Sequence, residues 1–290
     1  MVILSLFDGI SCWRVALERA GILVKKYFAS EIDKYAIQIA KKNFPDTIHI
    51  WSVTDIECKN RTLSNRVVGE TYSVEIDMVI GGSPCQDLSR AKTDGKGLQW
   101  EQSGLFFEFV RLLKQVKPKY FLFENVASMK KSNKEIITST LKEIFPDTKC
   151  YMINSSLVSA QNRKRYYWTN IPNIVQPEDK NILLQDILQP QYDWEETWLY
   201  AIKQRARGFN AGNIFERKSP TITSCSWEQN NHIVNVNTKE IIRKLTPIEC
   251  ERLQTLPDNY TEWISNTQRY KCIWNWWTVD VIAHILSFIK

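Results

Sequence analysis

The stretch "VILSLFDGIS", residues 2–11, decides the fold. Its apolar run is short enough for a buried strand, Asp8 and Gly9 form a polar turn, and Ser11 stands where it can cap a helix running on to Gly21. The same alternation recurs down the first half of the chain. Strands are expected at 2–7, 26–32, 48–51, 77–82, 120–126, 150–157 and 165–171. Between them, Ile32, Ala36, Ile39 and Ala40 mark one buried helical stripe. Phe106, Phe109, Val110 and Leu113 mark a second, with Ser103 as its N-cap, and Ile137, Leu141, Ile144 and Phe145 a third. Short apolar runs alternating with helical periodicity are the pattern of a parallel sheet covered by helices. Beyond residue 171 the periodicity fades into a basic, Asn-rich stretch, so a smaller, irregular second lobe is expected there. Regular order returns with helices at 246–256 and 279–290, where Ile282, Ile285, Leu286 and Ile289 share a face.

Composition narrows the function. Seven cysteines are scattered without CxxC spacing in 290 residues, which argues against a disulfide framework or a zinc ribbon; no metal site is expected. The N-terminus lacks the basic and long apolar segments of a signal peptide, and no run reaches the roughly 18–20 apolar residues of a membrane span. A cytoplasmic protein without membrane contact is expected. A net charge of +6 is concentrated in "QNRKRYYW" (161–168), "KQRARGF" (203–209) and "ERKS" (216–219), where interleaved aromatics favour a polyanionic partner over a merely solvated face.

Ligands of open parallel sheets lie beyond the carboxyl ends of the strands, and there the chain is polar. Asp8 and Gly9 follow the first strand, Glu31 ends the second in a position to accept from ribose hydroxyls, and Asp55 follows the third. In "GGSPCQDLS" (81–89), Gly81 and Gly82 free the backbone and Pro84 stiffens it, presenting Cys85 among Ser83, Gln86 and Asp87. That is a setting for a reactive thiolate rather than an inert small hydrophobe. The next strand ends in "FENV", with Glu124 and Asn125, so neighbouring strands offer one pocket a nucleophile and a carboxyl acid. Arg163 and Arg165, as alternate residues of an extended segment, point the same way.

In this order the motifs resemble those of the DNA cytosine-5 methyltransferases over nearly the whole chain. "FDGIS" resembles the first cofactor motif in the form of the vertebrate de novo enzymes, and "SEID" and "TDI" resemble the second and third. "GGSPCQDLS" is similar to the catalytic Pro-Cys loop, while "GLFFEFVRLL", "FENV", "QNRKRYYW" and "RKLTPIECERLQTLPDNY" (243–260) resemble later motifs. The resemblance implies a Rossmann-like S-adenosylmethionine-dependent α/β fold, with a mixed, mostly parallel seven-stranded sheet. It implies a catalytic domain of residues 1–171 and 265–290 and a small target-recognition domain of 172–264, variable over about 172–242. By the same resemblance Cys85 is the nucleophile, Glu124 holds the flipped base, and Arg165 and Arg163 assist. Phe7, Asp8, Gly9, Ile10, Glu31, Ile32, Asp55, Ile56, Asn275 and Trp277 form the cofactor pocket. Double-stranded DNA is the implied partner of a monomer with no obligate protein partner, in a bacterial or phage-infected cell.

The last motif departs from the pattern. It usually reads GN and a small residue, whereas here "IWNWWTVD" (273–280) puts Trp274 and Trp276 around Asn275, with Trp277 resembling a tryptophan of the de novo branch; Trp13 replaces a common glycine. Three readings follow: packing residues outside the pocket, a remodelled cofactor site, or a DNA-binding relic that holds cofactor poorly. An RNA cytosine methyltransferase is a further alternative, because a branch of the family acts on tRNA.

Overall fold

The computed structural model describes residues 1–83, 104–189, 200–204, 206–207, 210–222 and 231–289. Two compact units emerge. The first comprises Met1–Ile153, Lys164–Val175 and Ile285–Lys290, the second Asn154–Arg163 and Gln176–His284.

The first unit is built on β1 (Val2–Leu6), β2 (Lys26–Ser30), β3 (Ile48–His49), β4 (Ile56–Lys59), β5 (Thr62–Asn65), β6 (Thr71–Ser73), β7 (Met78–Gly81), β8 (Tyr120–Val126), β9 (Lys149–Asn154) and β10 (Lys164–Thr169). Seven of these form one sheet in the order β3-β2-β1-β7-β8-β10-β9. β1 is parallel to β2 and β7, β2 to β3, and β7 to β8, while β10 is antiparallel to β8. This is the mixed, mostly parallel sheet expected from the sequence. Its helices are α1 (Cys12–Arg19), α2 (Lys34–Asn43), α3 (Gly104–Val116) and α4 (Lys131–Ile144). α3 forms because its apolar residues recur at helical spacing, and Phe106, Phe109, Val110 and Leu113 are all buried. The Phe109 and Phe123 rings stack at 4.8 Å, and Phe123 meets Trp168 at 5.8 Å. Each fully buried side chain of this size contributes roughly 1.5–3 kcal/mol, so this helix-sheet layer dominates the unit's stability. Gly81 is required by packing: a Cβ there would lie 2.6 Å from the Leu6 carbonyl oxygen of the neighbouring strand.

Local chemistry departs from the expectation or adds to it at three places. Ser11 occupies the N-cap position of α1 but with φ 60°, and its hydroxyl donates to Asp8 Oδ2 at 2.6 Å instead of capping the helix. Asp33 is the true cap of α2, its carboxylate accepting from Tyr35 N and Ala36 N. Thirdly, residues 56–73 form an antiparallel meander, β4-β5-β6, that the sequence reading missed. Asn60 and Arg61, both at positive φ, make its first two-residue turn. Ser103 lies outside the described residues.

The second unit contains α5 (Leu184–Ile187), β11 (Tyr200–Lys203), β12 (Ala206–Arg207), β13 (Asn210–Ala211), β14 (Ile214–Phe215), β15 (His232–Asn235), β16 (Ile241–Lys244), α6 (Pro247–Leu253), α7 (Asn266–Asn275) and most of α8 (Val279–Leu286). The region expected to be irregular therefore carries a four-stranded antiparallel sheet, β14-β11-β15-β16. Ile202, Ile233, Leu245, Leu253 and Ile273 form its core. Thr246 and Glu249 make a reciprocal capping box at the start of α6, with Pro247 in its first turn. Glu249 and Glu251, both fully buried, are neutralised by Arg243 at 2.6 Å and Arg269 at 3.0 Å. Breaking such a pair strands a buried charge at a cost of ~3–5 kcal/mol, so Glu249–Arg243 ties α6 to β16 and Glu251–Arg269 ties α6 to α7. Among the described residues no helix is long and apolar enough to cross a membrane, and no cluster of three or more His, Cys, Asp or Glu could hold a metal ion.

Candidate active site

The carboxyl ends of β1, β2 and β3 are tied together by hydrogen bonds. Phe7 and Gly9, immediately after β1, have φ 57° and 64°. Left-handed backbone costs a non-glycine residue roughly 1–2 kcal/mol, so the turn must be held by its surroundings. Asp8 N donates to Ser30 O at 2.9 Å and Gly9 N donates to Glu31 Oε2 at 2.8 Å. Beneath the turn Asp8 is completely buried, accepting from Ser11 Oγ and Tyr27 Oη. Burial pushes the Asp8 carboxyl up against the hydrogen bonds that lower it. The Arg14 guanidinium lies over the Tyr27 ring at 5.4 Å and pairs with Asp46 at 2.8 Å. Asp8, Ile10 and Ile56 are buried, so their side chains support the pocket wall from behind.

Glu31 is the polar centre of this end of the sheet. Its Oε1 accepts from Ile32 N and Asp33 N, and its Oε2 from Gly9 N. Burial holds its carboxyl above the ordinary glutamate value, opposed by those three backbone bonds. A carboxylate offers about four lone-pair positions, so Glu31 retains capacity for a ligand hydroxyl. Ile32 is 75% exposed beside it, and Asp55, partly exposed, ends a short 3-10 turn capped by Ser52. An acceptor flanked by an open glycine backbone and bare apolar surface fits the ribose and adenine of S-adenosylmethionine. Sequence reasoning missed one residue here. Trp51, directly after the "IHI" run, has φ 60° and is 46% exposed; an aromatic at the end of a strand was its only signal.

The ends of β7 and β8 build the second half. Gly81 pairs in register with Phe123, and two residues further along each strand Asn125 Nδ2 donates to Ser83 O at 3.3 Å. This fixes the carbonyl that leads into Pro84; Pro84, Cys85, Gln86 and Asp87 lie outside the described residues. Glu124, 7% exposed, receives Arg165 Nε at 2.9 Å from the antiparallel β10. Its partners are thus set by β8-β10 register, in which Arg165 faces Val126 and Tyr167 faces Glu124. Arg163 and Arg165 part company. Arg163 belongs to the second unit, where its Nη2 donates to the Trp274 and Trp276 carbonyls at 3.3 and 3.0 Å, at the C-terminal end of α7.

The tryptophans are accommodated by packing. Trp13 is completely buried in α1, within the first unit. In the second, Trp274 packs partly buried against the Ile273-Leu253 core, and Trp276 meets Trp277 edge-on at 5.5 Å. Trp277 is 3% exposed, whereas Asn275, the last residue of α7, is exposed. The Trp276 carbonyl also accepts from Gln254 Nε2 at 3.1 Å, so the departure from the usual small residues is fastened at both backbone and side chain.

Comparison with known proteins bears on the family and the fold. The chain is 29% identical over 304 residues to the type II methyltransferase M1.ScrFI of Lactococcus lactis subsp. cremoris, covering 92% of this chain and 72% of that protein. It is 28% identical to the type II methyltransferase M.NlaX of Neisseria lactamica, covering 99% and 96%. Among solved structures, a Spodoptera frugiperda DNMT2 variant superposes with a TM-score of 0.67 at 19% identity, over 99% of this chain and 98% of that one, a likeness of fold. The model of the C-5 cytosine-specific DNA methylases matches residues 1–193 and 173–290, and the chain belongs to that family.

Proposed function

We propose that the protein transfers a methyl group from S-adenosylmethionine to C5 of a cytosine flipped out of duplex DNA, through a covalent bond between Cys85 and C6. The observation that carries this reading is the buried Glu124-Arg165 pair, one residue from the Asn125-Ser83 bond that anchors the entry to the Cys85 loop. When bound, S-adenosylmethionine supplies the electrophilic methyl group. Cytosine C5 is a weak nucleophile until a thiolate adds to C6 and pushes the ring electrons toward C5. Cys85 makes that bond after the base leaves the stack, and Glu124 holds the Watson-Crick edge with a proton shared at N3, offsetting the charge that develops on the ring. Arg165 keeps the Glu124 carboxyl oriented. Once C5 carries the methyl group, loss of its proton returns an electron pair to the C5–C6 bond and expels the Cys85 thiolate. By family resemblance, cofactor contact is proposed for Asn275 and Trp277 and an assisting role in catalysis for Arg163, and residues 172–264 form the proposed target-recognition domain. The reading extends to a cytoplasmic monomer acting without an obligate protein partner.

Transfer of labelled methyl groups to duplex DNA and to tRNA in parallel tests the assignment, and bisulfite sequencing then locates the product. Label at cytosine in duplex DNA is expected. Label in tRNA alone would replace DNA by RNA as substrate, and cofactor binding with no transfer to either would make the protein a non-catalytic binder. Acidity should also matter. Because the Glu31 carboxyl lies above the ordinary value of 4.5, its ionised acceptor form is lost sooner as pH falls. Affinity for S-adenosylmethionine is therefore full at neutral pH and declines before pH 4.5 is reached. Calorimetric titration should show that decline, and Glu31→Gln should flatten it; an equal decline in the variant would assign it to another group, such as Asp8.

A further inference from the structure

We infer that Trp51 supplies an aromatic wall for the adenine ring of the nucleoside held by Glu31, a binding role additional to the motif residues. The inference rests on the cofactor reading above. Trp51 lies in the segment leaving β3, next to β2, whose end leads directly into Glu31. Its carbonyl accepts from Ser30 Oγ at 2.7 Å, and the preceding Ile50 N donates to Ala29 O at 2.9 Å. From the other side the β4-β5-β6 meander grips the same segment. The buried Asn65 Nδ2 donates to Ile50 O at 2.9 Å, Arg66 N to Asp55 O at 2.8 Å, and Arg66 Nη2 to Thr54 O at 2.7 Å.

A bulky side chain at φ 60° is an outlier that persists only when neighbours over-determine it; three hydrogen bonds hold Ile50 and Trp51 directly, and the two from Arg66 fix the residues that follow. Yet the indole they hold stays 46% exposed instead of joining the core. A half-bare aromatic whose backbone is already held at the ligand end of a parallel sheet suits stacking, because little backbone ordering remains to oppose binding. Exposed Ile32, in the segment that follows β2, offers a second apolar surface, and Glu31 accounts for the ribose. The meander, which carries a motif residue only at its first position, Ile56, then has a purpose: it braces the adenine end of the pocket.

Calorimetric titration of the full chain with S-adenosylmethionine and S-adenosylhomocysteine tests this. Trp51→Ala and Trp51→Leu should each weaken both ligands on the order of tenfold, as loss of one base-aromatic stack does, while Trp51→Phe stays close to wild type. Trp51→Leu retains bulk and apolarity, so a folding failure in the alanine variant leaves the test intact; thermal melts monitor this. Equal affinity of Trp51→Leu and wild type overturns the role of Trp51 and leaves the cofactor reading standing. Absence of binding by the wild type overturns both.

Discussion

Cys85→Ala transfers no methyl group to duplex DNA and binds S-adenosylmethionine within about twofold of wild type. The asymmetry follows from the chemistry. Every later step needs the electron density that C6 addition places on C5, and an alanine methyl cannot add. The proposed cofactor pocket lies instead mainly at the ends of β1, β2 and β3 and does not include residue 85. No other described thiol can substitute: Cys12, Cys58, Cys250 and Cys272 are buried, and burial pushes Cys150 up to about 11. At neutral pH a thiol of that pKa is ionised in only about one molecule in 10⁴, which makes it a negligible nucleophile. Duplex DNA carrying 5-fluorocytosine gives a second readout. A C5 fluorine cannot leave as a proton does, so the wild type should become trapped in a denaturant-resistant adduct and Cys85→Ala should not. Normal turnover by the variant, or an adduct formed without Cys85, would refute the assignment.

The difference between what could and could not be read in advance has a physical basis. β1 and β7 were legible because a strand buried within a parallel sheet is a continuous apolar run, and the polar residues after such runs marked the ligand end. β4 to β6 were not, because "ECKNRTLSNRVVGETYS" (57–73) is mostly half-exposed and polar, with only Cys58, Leu63 and Asn65 among its strand residues buried beside Ile56. Period-two alternation over three or four residues is too short to stand out from a loop. β11, β15 and β16 escaped because each is only four residues long, too short for a strand period to stand out.

At the site, residue type was legible but partnership was not. Asp8 had the composition of a ligand contact, yet its neighbour Tyr27, 19 residues downstream, draws it inward. Arg163 and Arg165 share one face in an ideal strand, but β10 begins only at Lys164, so the alternation linking them is interrupted. Arg163 instead turns to the carbonyls ending α7, a contact 111 and 113 residues distant in sequence. Trp13, where glycine is common, left packing outside the pocket, a remodelled site and a poorly binding relic as open readings. The fully buried position it occupies shows that core volume was available, and volume is a property of the whole packing arrangement.

Glu124→Gln should lower kcat about 10³-fold with little change in the KM for S-adenosylmethionine. The amide keeps the shape of the carboxyl group, so folding and base access are retained, but it cannot share a proton with N3 or offset the charge of the activated ring. Preorganised groups of this kind are worth about 10²–10³ in rate, and general acids about 10²–10⁴. A thousandfold loss corresponds to ~4 kcal/mol of transition-state stabilisation. The ion pair adds a second consequence. Arg165 is only 13% exposed, and Glu124→Gln leaves its guanidinium facing an amide oxygen in place of a carboxylate. A protein destabilised by that exchange should regain thermal stability when Arg165→Gln is added, because the stranded charge is removed. Activity should not return with it. If Arg165 works by orienting Glu124, the double variant will be about as slow as Glu124→Gln alone, since residues acting as one unit are not additive in their losses. A Glu124→Gln kcat within tenfold of wild type would instead remove Glu124 from the chemistry, and fully additive losses would give Arg165 a separate contact with the substrate.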